Sequence, residues 1–343
     1  MKRLVLLGFS LLGLAAQATD LDRGFVTLDS GRKLFVEHRP AAGGMPTLVL
    51  VNGLTWSTRQ WIPFASAITA AMPGLGLVLY DMEGMGLTLL EKAPQRQDIP
   101  IENQAEDLEE LMRRLRIQGP LSVAGLSYGG AVALEHAARY PRRFANVIAI
   151  APVMERLPDQ NKMIQRWIDA HRVWFPLDLR TDDELYDRYL RVLIYSTYPL
   201  AEPILLENPY KLEAVYLMVK GAKNWTAFER IKKFPRAKIH LIGAIDDEFV
   251  KDDRMRVLWE KLPPGVGESY LRVEQTRHKV PEERPAFTAS WVREILLGNA
   301  ELKKGLTFLG DPFQGEARSG NVTIPLNKGS FCEDLLRRAA GSY

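Results

Sequence analysis

The sequence predicts an α/β fold, a mostly parallel sheet of about eight strands flanked by helices and interrupted by a helical insertion. Three observations predict it. Apolar runs of strand length alternate with amphipathic stretches of helical spacing, the pattern of a parallel sheet with right-handed crossovers and helices on both faces. The alternation stops at Met154 and resumes near Lys238, and the interval holds helical stretches rich in aromatic residues. Finally, the apolar run Leu121 to Leu126 passes through GLSYG, Gly125 to Gly129, into an alanine-rich stretch from Tyr128 to Arg139. That is a strand, a sharp corner and a helix, with Ser127 held at the corner between residues that have almost no side chain.

Taken in order, the chain opens with Lys2 and Arg3, an apolar stretch from Leu4 to Ala16, and Ala16-Gln17-Ala18 as a small-x-small site. Residues 1–18 therefore read as a cleaved secretory signal of bacterial type, with an uncleaved N-terminal anchor as the alternative; the apolar stretch is too short to span a bilayer, and no second apolar segment follows it. GFVTLDS and KLFVEHR, either side of Ser30-Gly31, read as a β-hairpin. Thr47 to Val51 and Leu75 to Tyr80 are continuous apolar runs of strands buried on both faces, with a helical stretch from Arg59 to Ala71 between them. Ile101 to Ile117 is an amphipathic helix with Leu108, Leu111, Met112 and Leu115 on one face. Phe144 to Pro152 is another buried strand. After the interruption come a strand at Lys238 to Ala244, a helix at Asp252 to Leu262, a strand at Tyr270 to Glu274 and a helix at Pro285 to Leu297. The implied organisation is a core of residues 19–153 and 237–298, a helical insertion of residues 154–236, and an extension of residues 299–343. That extension holds an apolar stretch at Val322 to Leu326 and an amphipathic end at Cys332 to Ala340.

At 343 residues and 46% hydrophobic content, the chain can bury one large core and an insertion. Its formal net charge of +3 falls to +1 when Lys2 and Arg3 leave with the signal, so nothing points to nucleic acid. One cysteine, Cys332, excludes an internal disulfide and a thiolate metal cluster, and the five histidines are too scattered for a metal-ligand spacing. No metal or cofactor is expected. Sequons at Asn224 and Asn321 matter only in a eukaryotic secretory route.

The ordered set of motifs resembles the α/β-hydrolase family over roughly Gly24 to Leu297. It comprises a strand ending in Asn52-Gly53-Leu54, D-x-x-G-x-G at Asp81 to Gly86, GLSYGG, GAIDD at Gly243 to Asp247, and H-x-x-x-x-E-x-P at His278, Glu283 and Pro285. The resemblance implies a Ser, Asp, His chain order and roles that chemistry also requires. Ser127 needs a base to take its proton, and His278, between a strand and the last helix, is the histidine at the catalytic edge. His38, His136, His171 and His240 read as structural. The family's G-x-x-D spacing from Gly243 selects Asp246 as the acid that orients His278, with Asp247 and Glu155 as alternatives. The family's oxyanion donors fall on the backbone N–H groups of Leu54 and Tyr128. Asn52 and Glu83 replace the histidine and arginine usual in the family.

A serine at the corner argues against epoxide hydrolases and haloalkane dehalogenases, which carry aspartate there, and against dienelactone-type enzymes, which carry cysteine. NGLTW lacks the glycine-proline signature of proline-releasing peptidases. The resemblance thus implies a secreted or periplasmic serine hydrolase acting on a small-molecule ester of an apolar acyl group. The insertion would serve as its cap, with Trp174 and Trp225 lining the acyl pocket and Lys162, Arg166 and Arg172 meeting a polar head group. Thioester, lactone or carbon–carbon hydrolysis, perhydrolysis, and a non-catalytic binding protein on the same scaffold are the alternatives. The sequence names no protein partner.

Overall fold

The computed structural model describes residues 21–94, 97–156, 158–197, 211–233 and 237–328. The expected signal at residues 1–18 and the stretch Cys332 to Ala340 lie outside the described residues.

The described residues form one sheet of eleven strands: β1 (Asp22–Thr27), β2 (Lys33–Arg39), β3 (Thr47–Val51), β4 (Gly76–Tyr80), β5 (Leu121–Leu126), β6 (Asn146–Ile150), β7 (Ile239–Ala244), β8 (Gly267–Val273), β9 (Leu306–Asp311), β10 (Glu316–Ser319) and β11 (Val322–Pro325). Their order across the sheet is β1-β2-β4-β3-β5-β6-β7-β8-β9-β10-β11. The hairpin β1–β2 is antiparallel and β2 meets β4 antiparallel. From β4 to β9 every pairing is parallel. The strands β3, β4 and β5 are buried at every residue, as apolar runs covered on both faces must be.

Helices α1 (Ile62–Ala71), α2 (Gly86–Glu91), α3 (Ile101–Leu115) and α4 (Tyr128–Arg139) fall between the early strands. Then come α5 (Pro158–Trp174), α6 (Asp182–Thr197), α7 (Lys211–Gly221) and α8 (Ala227–Arg230) between β6 and β7. The last three are α9 (Asp252–Lys261), α10 (Val280–Glu283) and α11 (Pro285–Leu296). The amphipathic α3 turns Ala105, Leu108, Leu111 and Met112 inward and packs against α4, while α1 packs against α11.

The insertion between β6 and β7 leaves and re-enters through a narrow neck. Glu155 and Thr226 form an isolated antiparallel bridge, and the Ala227 N–H donates to the Met154 carbonyl at 2.8 Å. On the core side the neck ends on Glu135, buried in α4, which receives the Trp225 indole N–H at 2.9 Å and pairs with Arg230 at 2.7 Å and Arg139 at 2.6 Å. A buried carboxylate with three such partners has its charge and lone pairs matched, so burial costs it little.

One expectation is corrected. The sheet has eleven strands rather than about eight, because residues 306–325 of the extension add β9, β10 and β11 to its far edge. Their side chains alternate in the manner of a half-covered sheet, with Phe308, Ala317 and Ile324 turned inward. Phe308 meets Trp291 of α11 edge to face at 5.2 Å, so β9 shares the main core. We predict that Phe308→Ala costs about 3–5 kcal/mol and lowers the single thermal transition by on the order of 10 °C. An unchanged melting temperature, read by calorimetry, would show that β9 lies outside the cooperative unit.

Candidate active site

Where β5 ends, the chain must reverse into α4 within one residue. Ser127 does so at φ 55° and ψ −114°, a region that L-residues occupy only at a cost of order 1–3 kcal/mol. Neighbouring backbone holds it there. The Ser127 N–H donates to the Ile150 carbonyl at 2.9 Å, and the Ser127 carbonyl accepts from Ala131 at 3.1 Å and Val153 at 3.0 Å. The corner closes only because its flanks lack side chains. A Cβ on Gly125 would lie 2.2 Å from the Gly129 carbonyl oxygen, and one on Gly129 would lie 2.3 Å and 2.4 Å from the carbonyl oxygens of Val51 and Asn52.

That second contact builds the site. β3 and β5 are parallel neighbours, with Val51 opposite Gly125, so the loop after β3 stands beside the corner. The strand order turns back at β3, whose neighbours are β4 and β5, and in open α/β sheets ligands bind at such a switch point, beyond the carboxyl ends of the strands. Leu54 follows Gly53 in this loop, and Tyr128 opens α4 at its N-terminus, where backbone N–H groups have no helical acceptor.

Asp81, buried at the end of β4, anchors the loop. Its Oδ1 accepts from the Thr58 N–H at 2.7 Å and from Asn52 Nδ2 at 3.1 Å, and its Oδ2 accepts from the Leu87 N–H at 2.8 Å. Asn52 therefore ties the loop to β4, donating also to the Tyr80 carbonyl at 3.1 Å. Gly86 permits this arrangement, since a Cβ there would fall 2.1 Å from Asp81 Oδ2. Glu83 of the same turn lies 3.7 Å from Arg32.

The His278 loop follows β8. His278 Nδ1 lies 2.8 Å from Oδ2 of Asp247, whose other oxygen accepts the N–H groups of Phe249 at 2.7 Å and Val250 at 2.8 Å. Asp246 is exposed, which corrects the expectation that it faces His278. β7 ends at Ala244, Ile245 and Asp246 form a turn, and only the next residue points back over the sheet edge. Glu155 belongs to the neck and pairs with Arg254. Phe249 packs edge to face on the His278 ring at 5.1 Å, and the Lys279 ammonium sits 3.8 Å from the centre of the Trp56 ring, linking the histidine loop to the loop after β3.

The two tryptophans expected in a substrate pocket are also placed elsewhere. Trp174 stands in solvent at the end of α5, and Trp225 is buried in the neck. His136 and His240 are buried, beside Glu109 at 2.9 Å and Ser269 at 2.8 Å, His171 lies in the insertion, and His38 in β2. One signal is invisible in the sequence. Of the five non-glycine residues with positive φ among the described residues, Thr55, Ser127, Ala151 and Gln275 all lie just beyond carboxyl ends of strands, on the loops that surround the site. Among the described residues no group of three His, Cys, Asp or Glu side chains is placed to hold a metal ion, and no helix is long and apolar enough to cross a membrane.

A strained serine corner opening a helix, a buried Asp–His pair across the next strands and a helical insertion after β6 define a hydrolase architecture. The alpha/beta hydrolase family model matches residues 48–291, and the chain belongs to that family. It is similar to Lipase 3 of Moraxella sp. (strain TA144), at 28% identity over 129 residues, 38% of each protein. It is also similar to the rat (Rattus norvegicus) monoacylglycerol lipase ABHD6, at 22% identity over 271 residues, 75% of this chain and 77% of that one. The chain thus matches under two fifths of the bacterial lipase's length. Among solved structures it shares its fold with a bacterial membrane phospholipase A (TM-score 0.59, 19% identity, 81% of this chain and 86% of that one). It also shares it with the enol-lactonase of Burkholderia xenovorans LB400 (TM-score 0.55, 18% identity, 80% and 100%).

Burial pushes the Asp81 carboxyl up to about 6, against the lowering effect of its three donors. An ordinary aspartate titrates near 4, so between about pH 4 and 6 the folded state keeps a proton that the unfolded state has lost. The stability Asp81 contributes at low pH is therefore lost as the pH rises to about 6. Urea unfolding of the wild type and Asp81→Asn at pH 4.5 and 7 should show the wild type's advantage shrinking by on the order of 2 kcal/mol on going to pH 7. A constant difference would mean that Asp81 titrates normally.

Proposed function

We propose that the protein is a serine hydrolase that cleaves carboxylic esters of an apolar acyl group through a Ser127–His278–Asp247 triad and an acyl-enzyme. The observation that carries this reading is the hydrogen bond between His278 Nδ1 and a buried Asp247 whose other oxygen is already held by two backbone N–H groups. An acceptor at Nδ1 leaves the proton on that nitrogen and the Nε2 lone pair free to act as a base.

In this mechanism His278 Nε2 takes the Ser127 proton as Oγ attacks the ester carbonyl. Negative charge moves to the carbonyl oxygen, where the N–H groups of Leu54 and Tyr128 receive it, and Asp247 balances the imidazolium. Collapse expels the alcohol, which takes the proton from His278. Water then repeats the sequence on the acyl-enzyme and releases the acid. The strain at Ser127 favours this use, because it keeps Oγ clear of the sheet without any rearrangement during the reaction.

The apolar acyl preference is supported by the lipases among the similar proteins and by Phe249, an exposed ring against His278. Export to the periplasm or beyond is supported by the basic start, the apolar stretch and the Ala16-Gln17-Ala18 site. N-terminal sequencing of the protein from the periplasmic fraction would test it, with Thr19 as the expected first residue.

We predict that Ser127→Ala abolishes labelling by a serine-directed phosphonate and lowers turnover of p-nitrophenyl acetate at least a thousandfold, about 4 kcal/mol of transition-state stabilisation. Undiminished turnover would remove Ser127 from the chemistry. Asp247→Asn should lower kcat by roughly 10³- to 10⁴-fold by presenting the wrong tautomer, whereas Asp246→Asn and Glu155→Gln should stay within about threefold of wild type. A severe loss in Asp246→Asn would return the acid to that residue. Across p-nitrophenyl esters from acetate to palmitate, kcat/KM should rise with chain length until the pocket is full, each buried methylene contributing about 0.8 kcal/mol. A flat profile, or faster turnover of matched thioesters or lactones, would displace the acyl-ester reading.

A further inference from the structure

The end of α5 carries an apolar surface that the chemistry above does not use. Val173, Trp174, Phe175, Leu177 and Leu179 are 76%, 78%, 60%, 89% and 98% exposed, within seven residues joining α5 to α6. Such exposure would normally be relieved by collapse onto the helices. Polar contacts at the base prevent it. His171 lies 2.9 Å from the Tyr189 hydroxyl and 2.8 Å from Asp178, and Arg172 donates to the carbonyls of Asp178 and Arg180 at 3.1 Å and 2.6 Å. The Arg180 N–H donates to Asp178 at 3.0 Å, and Thr181 and Glu184 cap α6 reciprocally at 2.6 Å and 3.2 Å. The tip is thus a braced turn with its apolar side chains held outward.

We propose that this tip docks on a phospholipid bilayer, its side chains inserting between the headgroups. Five apolar side chains within seven residues are three-fifths to almost fully exposed; a fluid acyl boundary can cover all of them, whereas a protein can do so only with a deep apolar socket. A second copy of this chain offers none in the two described cavities of about 390 and 340 Å³. The first is walled by Asp98, Asp183, Asp187 and Lys220, and the second includes Arg293 and Glu294. Lys162 and Arg166 are exposed one turn apart on α5, and neither has an acid partner among the described residues, which leaves both for lipid phosphates, while Asp169 on the same stripe and Asp182, Asp183 and Glu184 beyond the tip are exposed acids, so apolar insertion rather than net charge carries the docking. Trp and Phe at the tip with cations behind it is the arrangement of a helix end that lies at an interface. That the bilayer also supplies the ester rests on the function proposed above; the docking does not.

The test uses the full chain carrying Ser127→Ala, so that vesicles stay intact and hydrolysis is not read. Tryptophan emission is measured with phosphatidylcholine–phosphatidylglycerol vesicles, with and without bromine on the acyl chains. None of the seven tryptophans lies in residues 1–20, so an N-terminal anchor alone cannot mimic the signal. The expected result is bromine-dependent quenching that disappears in Trp174→Phe, and also in a variant with Trp174, Phe175, Leu177 and Leu179 all changed to Ser, its thermal transition confirming that it folds. Absence of quenching, or equal quenching in Trp174→Phe, would overturn the proposal. A change from dimer to monomer in the four-serine variant, without quenching in the parent, would assign the tip to a second copy instead.

Discussion

The contact on which the sheet edge depends is the approach of the first turn of α4 to the carbonyls of Val51 and Asn52. It is available only because residue 129 has no side chain. Through it two loops far apart in the chain become one surface, and the mechanism proposed above uses the N–H groups that follow Gly53 and Ser127 there. Hydrogen-bond donors that must meet a developing charge tolerate little error, and a displacement of about 1 Å can cost a hundredfold in rate. The strain at Ser127 belongs to the same geometry, since the corner has to turn sharply to set the helix that close. A relaxed corner would lift α4 away from the loop after β3.

Much of this was legible because the forces behind it leave marks in the chain. β3, β4 and β5 read as continuous apolar runs since both their faces are covered, and the corner read from its glycines. The hairpin read from its turn. The parts that escaped obey weaker rules. β9 to β11 are short, half-exposed strands whose alternation is diluted by Gly310, Pro312 and Gly315, so they look like a loop-rich tail. The choice between Asp246 and Asp247 turns on one residue of a turn after β7. A motif spacing cannot resolve that, whereas the 2.8 Å contact between His278 Nδ1 and Asp247 Oδ2 does. Trp174 and Trp225 misled for a common reason. Aromatic content shows that an insertion has surface to bury, but which ring faces the site depends on helix packing, and here one ring braces the neck while the other faces outward.

The polar groups beneath the site are arranged differently from those within it. Asp81 and Glu135 are buried carboxylates that hold backbone and side-chain donors in place, one under the loop after β3 and the other under the neck. Asp247, buried beyond the end of β7, has one oxygen committed to the backbone and the other to the His278 ring. The first two make the scaffold stiff. The third fixes the orientation of the His278 ring.

The neck of the insertion has a consequence of another kind. Because Met154 and Ala227 are hydrogen-bonded partners, everything between them is a closed loop whose ends are already joined on the core. Closing a longer or shorter loop on the same ends changes the entropic cost only logarithmically. The segment from Glu155 to the end of α6 is therefore a replaceable unit, whereas α7 is tied to the core, its Leu217 carbonyl accepting the Ile99 N–H at 3.0 Å. A lineage built on this neck can acquire a new insertion in one recombination rather than by many coordinated substitutions.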